Sequence, residues 1–141
     1  MHFERTLRRY QLRNTLPRRV VLQALSRMRK PASPQTLRQW TAAHHTALNI
    51  VTIYRVLEAF ASAGIIHQQP HTGNVLLCTL SANAGHHGLL SCQRCGDVQE
   101  FHNPALCILE NRIARKVGFT PKSHVSEMLG TCAACTRSRS I

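Results

Sequence analysis

Six cysteines and nine histidines stand among the 141 residues of this chain, and their spacing decides which chemistry is open to them. Cys92-Gln-Arg-Cys95 and Cys132-Ala-Ala-Cys135 are two CxxC pairs. Thiolates spaced in this way can share one ion, and two such pairs supply the four sulfurs of a closed, tetrahedral structural zinc site. A redox dithiol is the rival chemistry for a single pair, but two pairs together favour metal. Gly96, directly after the first pair, suits the tight turn of a zinc knuckle. The 36 residues between the pairs exceed the ~15–20 of a compact zinc ribbon, so the intervening chain must carry structure of its own.

A second set of ligands is more dispersed. His67 and Cys78 fall on neighbouring strands of an expected hairpin, and His86, His87 and Glu100 follow a short connection. A metal that drew ligands from both groups would couple its occupancy to the orientation of two modules. Taken singly, each has a plainer role: Cys78 as a small buried residue, His67 as a strand surface residue, Glu100 as a solvated charge. His44, His45, His71 and His102 read as surface or packing residues. A thiolate joined by imidazoles and one carboxylate suits tetrahedral zinc, whereas iron and manganese prefer shells richer in oxygen and nitrogen, so Cys78 is the most diagnostic residue of the set.

The elements that must position these groups divide at the same seam. The formal net charge is +12, and residues 1–77 hold eleven Lys/Arg against two acids while residues 78–141 hold seven against four. Hydrophobic residues make up 43%, enough for a packed core. No apolar run approaches the ~20 residues of a membrane span. The N-terminus has positive charges without an apolar stretch after them, which does not fit a secretory signal and leads us to expect a reducing cytoplasm.

From Pro17, Val21, Leu25 and Met28 recur at helical spacing with Arg18, Arg19, Arg27 and Arg29 between them. Ser33-Pro34 opens a second helix with Leu37 and Trp40 on one face, and Asn49 caps a third, from Ile50 to Ala63, ended by Gly64. Ile53, Val56, Leu57 and Phe60 form its buried stripe, while Thr52, Arg55, Ala59 and Ser62 fall on the outer side. Ile65–Gln68 and Val75–Cys78 then read as a hairpin. Three helices and a hairpin give the order of a winged helix-turn-helix, whose third helix enters the major groove: Arg55 would meet a base or phosphate, and Arg18 and Arg19 would neutralise backbone charge. The expected fold is therefore α+β. An N-terminal winged helix-turn-helix domain (1–78) and a hinge (79–86) precede a C-terminal α/β domain (87–141) built around the four-cysteine zinc site. In that domain 98–101 reads as a strand, Asn103-Pro104 opens a helix with Leu106, Leu109, Ile113 and Val117 on one stripe, and 123–129 reads as a further strand.

Thr52-Ile-Tyr-Arg-Val-Leu-Glu58, His86-His87-Gly-Leu-Leu-Ser-Cys92-Gln-Arg-Cys95-Gly96-Asp-Val-Gln-Glu100-Phe101 and Cys132-Ala-Ala-Cys135 resemble, in order and over nearly the whole chain, the ferric uptake regulator family. Within it, the zinc-sensing branch is the most similar. The resemblance implies a homodimer formed by the C-terminal domains, double-stranded operator DNA as partner, and repression of zinc-uptake genes when zinc is bound. It implies that Tyr54 and Arg55 face DNA, and that His67, Cys78, His86 or His87, and Glu100 hold a regulatory zinc beside the structural one. A third metal site of the family is weakly matched, since Cys107 stands where Glu is usual although His124 agrees. Gly88 and Leu89 occupy places where iron-sensing relatives often carry Asp and His. A relative sensing iron, manganese, nickel or peroxide is the nearest alternative. A zinc-dependent enzyme acting on nucleic acid is a more distant one, because neither CxxC follows the proline that a deaminase would need. No membrane and no small organic substrate are expected.

Overall fold

The computed structural model describes residues 3–80, 87–122 and 125–138. The chain divides into two compact units, Met1–Cys78 and Thr79–Ile141.

The first unit holds α1 (Phe3–Arg9), α2 (Leu16–Arg27), α3 (Pro34–His44), α4 (Ile50–Ser62), β1 (Ile66–Gln68) and β2 (Val75–Leu77). Each helix starts where local chemistry favours it. Pro17 sits in the first turn of α2. The Ser33 hydroxyl accepts from the Thr36 N–H at 3.0 Å, and the Asn49 carbonyl oxygen accepts from the Thr52 N–H at 2.8 Å. Gly64, at φ +76°, turns the chain out of α4 in the left-handed conformation that glycine adopts without cost.

Ile53, Val56, Leu57 and Phe60 are all buried, as their spacing predicts. α2 packs against α1, α3 and α4, and buries Val20, Leu22 and Ala24 besides the expected Val21 and Leu25. It is the central helix of the unit, with arginines only where its surface emerges. α1 was not expected from the sequence, where basic residues mask its single inward position, yet Leu7 is fully buried in the core. β1 and β2 pair antiparallel with His67 opposite Leu76. The backbones of Ala32 and Val75 exchange two hydrogen bonds of 2.9 Å, which stitch this wing to the connection between α2 and α3.

The second unit holds β3 (Gly88–Cys92), β4 (Val98–Phe101), α5 (Pro104–Lys116), β5 (Ser126–Gly130) and α6 (Ala133–Arg137). Its sheet runs β4-β3-β5, with β3 antiparallel to β4 and parallel to β5, so the chain needs a crossover and α5 lies within it. Asn103 caps α5 as predicted, its oxygen accepting from Ala105 N–H at 3.0 Å. β3 and α6 were not anticipated. The expected strand over 123–129 is observed as Ser126–Gly130, residues 123 and 124 lying outside the described ones. The apolar stripe expected on α5 is not covered by the described residues of this chain. It exists, but Leu109, Ile113 and Val117 are 50%, 57% and 79% exposed and none of the helix is buried. Among the described residues, Leu89 and Cys92 are the buried apolar side chains of this unit. So small a core needs reinforcement from metal or a partner surface.

Candidate metal centres and nucleic-acid face

The register of the sheet gathers the four cysteines. Cys92 ends β3, opposite Gly130 on the parallel β5, so the chain two residues further on delivers Cys132 beside it. The turn into β4 folds Cys95 back, with Gly96 N–H donating to the Cys92 carbonyl at 2.9 Å and Gly96 at φ +74°. One turn of α6 brings in Cys135. One sulfur from each of Cys92, Cys95, Cys132 and Cys135 lies within 4.8 Å of every other. The Cys95 and Cys132 sulfurs are 3.8 Å apart. A tetrahedron with Zn–S of about 2.3 Å has edges of about that length, so the donor set fits zinc.

The thiols are not equivalent. The Cys132 backbone N–H donates to Cys92 Sγ at 3.3 Å and, helped by further N–H donors of the knuckle, lowers that thiol to about 6. The neighbouring Cys132 side chain, with burial adding, pushes Cys135 up to about 12. Packed thiols thus resist ionising together, which is the frustration a divalent cation removes.

The other candidate ligands form two pairs, one on each unit. In the first, His67 lies on β1 and Cys78 just past β2, where Cys78 N–H donates to the Ile65 carbonyl at 2.9 Å. A ring nitrogen of His67 lies within 4.8 Å of the Cys78 sulfur. In the second, His87 Nδ1 is 3.8 Å from Glu100 Oε2. Thr79 orients that carboxylate, donating to Oε1 from its backbone N–H at 2.8 Å and its hydroxyl at 3.0 Å. Thr79 was not singled out in the sequence, because only tertiary hydrogen bonding reveals it. His86 lies outside the described residues. Cys107 is half-buried on α5, and His124, its suggested companion, lies outside the described residues. His44 stacks on Trp40 with ring centroids 4.2 Å apart, and His71 and His102 are exposed.

On α4, Tyr54 is 58% exposed and Arg55 is also exposed. Thr52 and Ala59 are half-buried, and Val51, overlooked in the sequence, is 54% exposed. The outward face is therefore centred on Val51, Tyr54, Arg55 and Glu58. Arg18 Nη1 donates to the Arg13 carbonyl at 3.0 Å, and Arg19 lies 3.5 Å from Glu4 in an exposed ion pair.

A winged helix-turn-helix unit followed by an α/β unit knotted by four cysteines defines a class of two-unit proteins that pair a nucleic-acid-reading fold with a metal centre. The sequence model of the ferric uptake regulator family matches residues 9–129, and the chain belongs to that family. It is 35% identical over 88 residues to the ferric uptake regulation protein of Neisseria meningitidis serogroup A, a match covering 62% of this chain and 60% of that one. It is 30% identical over 125 residues to the ferric uptake regulation protein of Legionella pneumophila, covering 88% of this chain and 91% of the relative. The solved structure of a zinc uptake regulator complexed with zinc and DNA superposes with a TM-score of 0.89 at 26% identity, covering 98% of this chain and 93% of the other.

Proposed function

We propose that the chain is a cytoplasmic, zinc-responsive transcriptional repressor, and not an enzyme, that binds operator DNA as a homodimer and silences zinc-uptake genes when zinc is abundant. The observation that carries this reading is the Cys78 thiol beside the His67 imidazole. A soft sulfur donor favours zinc over the harder iron and manganese ions. The likeness to a zinc uptake regulator solved with zinc and DNA supports the same choice.

Two zinc sites divide the work. Cys92, Cys95, Cys132 and Cys135 hold a permanent ion whose chemistry is structural, closing the second unit through four sulfur bonds. His67 and Cys78 from the first unit, with His87 and Glu100 from the second, hold the exchangeable one. Thr79 keeps Glu100 turned for that purpose. Because its ligands come from both units, this site links occupancy to orientation. Without it only a fraction of molecules present both reading helices correctly, and apparent affinity falls by that fraction.

The α5 stripe of Leu109, Ile113 and Val117 is apolar and exposed, and its natural occupant is the same surface of a second copy. Tyr54, Arg55 and Thr52 read the major groove, while Arg18 and Arg19 neutralise phosphates. The iron-regulator names of several relatives make an iron sensor the second reading. Titrating operator affinity with zinc, iron(II) and manganese(II) separates the two: half-saturation should come at a lower free concentration of zinc than of either other ion, in the direction donor softness dictates. Tightening by iron(II) at the lower concentration would transfer the assignment to iron.

A further inference from the structure

Cys132–Ser138 contributes half of the four-cysteine centre, yet apolar packing does little to hold it. No residue of α6 is buried. Among the described residues, hydrogen bonds tie this segment to the rest of its unit at two places. One is the centre itself, through the Cys132 N–H to Cys92 sulfur contact and the Cys95 and Cys132 sulfurs. The other is Arg94, the residue before Cys95, whose Nη1 donates to the Cys135 carbonyl at 2.7 Å and to the Ser138 hydroxyl at 3.1 Å. Ser138 Oγ in turn donates to the same Cys135 carbonyl at 3.0 Å. An arginine reaching the last carbonyls of a helix satisfies acceptors that the helix leaves open, and its cation suits that negative end.

We infer that Arg94 is a positioning residue that clamps the second cysteine pair onto the first, so that a ligand leaving zinc recombines before the ion escapes. This rests on the four-thiolate zinc assignment. Arg94 touches no metal. It acts by holding the Cys135 backbone within reach, as outer-shell partners of metal ligands generally do. The short side chain of Ser138 completes the fork, which lysine, with one flexible donor group, reproduces only in part.

The test follows zinc transfer from the loaded dimer to a chromogenic chelator. All variants are made in a Cys78→Ser background, so that the counted ion comes from the thiolates. Arg94→Ala should release zinc about tenfold faster, the lower end of outer-shell effects. Arg94→Lys should fall between, and Ser138→Ala should accelerate release by a smaller factor, with circular dichroism of the loaded proteins unchanged. Release from Arg94→Ala at the parent rate overturns the inference. If Arg94→Ala fails to load, Arg94→Lys at the parent rate does the same. Cys95→Ser serves as the control for the underlying assignment: if it keeps the parent's zinc content, the four-thiolate reading itself is lost, whatever Arg94 does.

Discussion

Zinc takes thiolates, so each cysteine that is protonated in the metal-free protein must give up a proton to bind. Cys135, pushed up to about 12 by Cys132, is protonated throughout the neutral range, whereas Cys92, lowered to about 6 by the Cys132 N–H, is already largely ionised at pH 7. Loading releases protons, affinity for the structural ion falls as pH falls, and the fall steepens below about pH 6, where Cys92 also holds its proton. Calorimetric titration in two buffers of different ionisation heat measures the protons released. A smaller release at pH 5.5 than at pH 7.5 would contradict this ordering. On α4, Arg55→Ala should weaken operator binding by about 1–3 kcal/mol and relax discrimination at one base if the guanidinium reads a base edge. A uniform loss across sequences, with a shallower salt dependence, would place it on phosphate instead. The clustering of the four cysteines was legible in the sequence because paired CxxC spacing is what a shared metal would demand. Thr79 and Arg94 were not, because their roles arise from hydrogen bonds between residues 21 and 41 positions apart.

Helix starts and ends were likewise legible, since Ser33, Asn49 and Asn103 act on N–H groups within three residues of themselves. α1 was hidden because one buried leucine among basic residues leaves no period to detect. The α5 stripe is the opposite case: the helical period is real and was read, but periodicity does not say what covers the face. If a second copy covers it, Ile113→Glu should convert the dimer to monomer by placing a charge in an apolar contact, with the first unit still folded. Sedimentation at micromolar concentration reads this, and an unchanged dimer would move the interface elsewhere. Gly88 has a strand-level reason of its own. It faces Phe101 across β3 and β4, and a methyl group there would overlap the Phe101 ring. Gly88→Ala should therefore destabilise the second unit by about 1–3 kcal/mol through overpacking. Thermal unfolding that matches the parent would show that the ring can swing aside.

The division of the chain into two units was visible in its charge and sulfur. The excess of arginine lies before residue 78, and five of the six cysteines lie after residue 90. In the proposed function, long-range attraction to DNA would belong to the first unit and metal-dependent assembly to the second. Among the described residues, no helix is long and apolar enough to cross a membrane. We propose that zinc held by His67, Cys78, His87 and Glu100 governs operator binding independently of a second zinc on the four cysteines. The most direct test is a zinc titration of operator affinity, at fixed salt, for the parent and for Cys78→Ser, with bound zinc counted in both. The parent should tighten at least tenfold as zinc rises. Cys78→Ser should remain a dimer with one zinc per protomer and show no tightening. A Cys78→Ser protein that still tightens on DNA at the parent's zinc concentration would show that Cys78 does not hold the regulatory zinc.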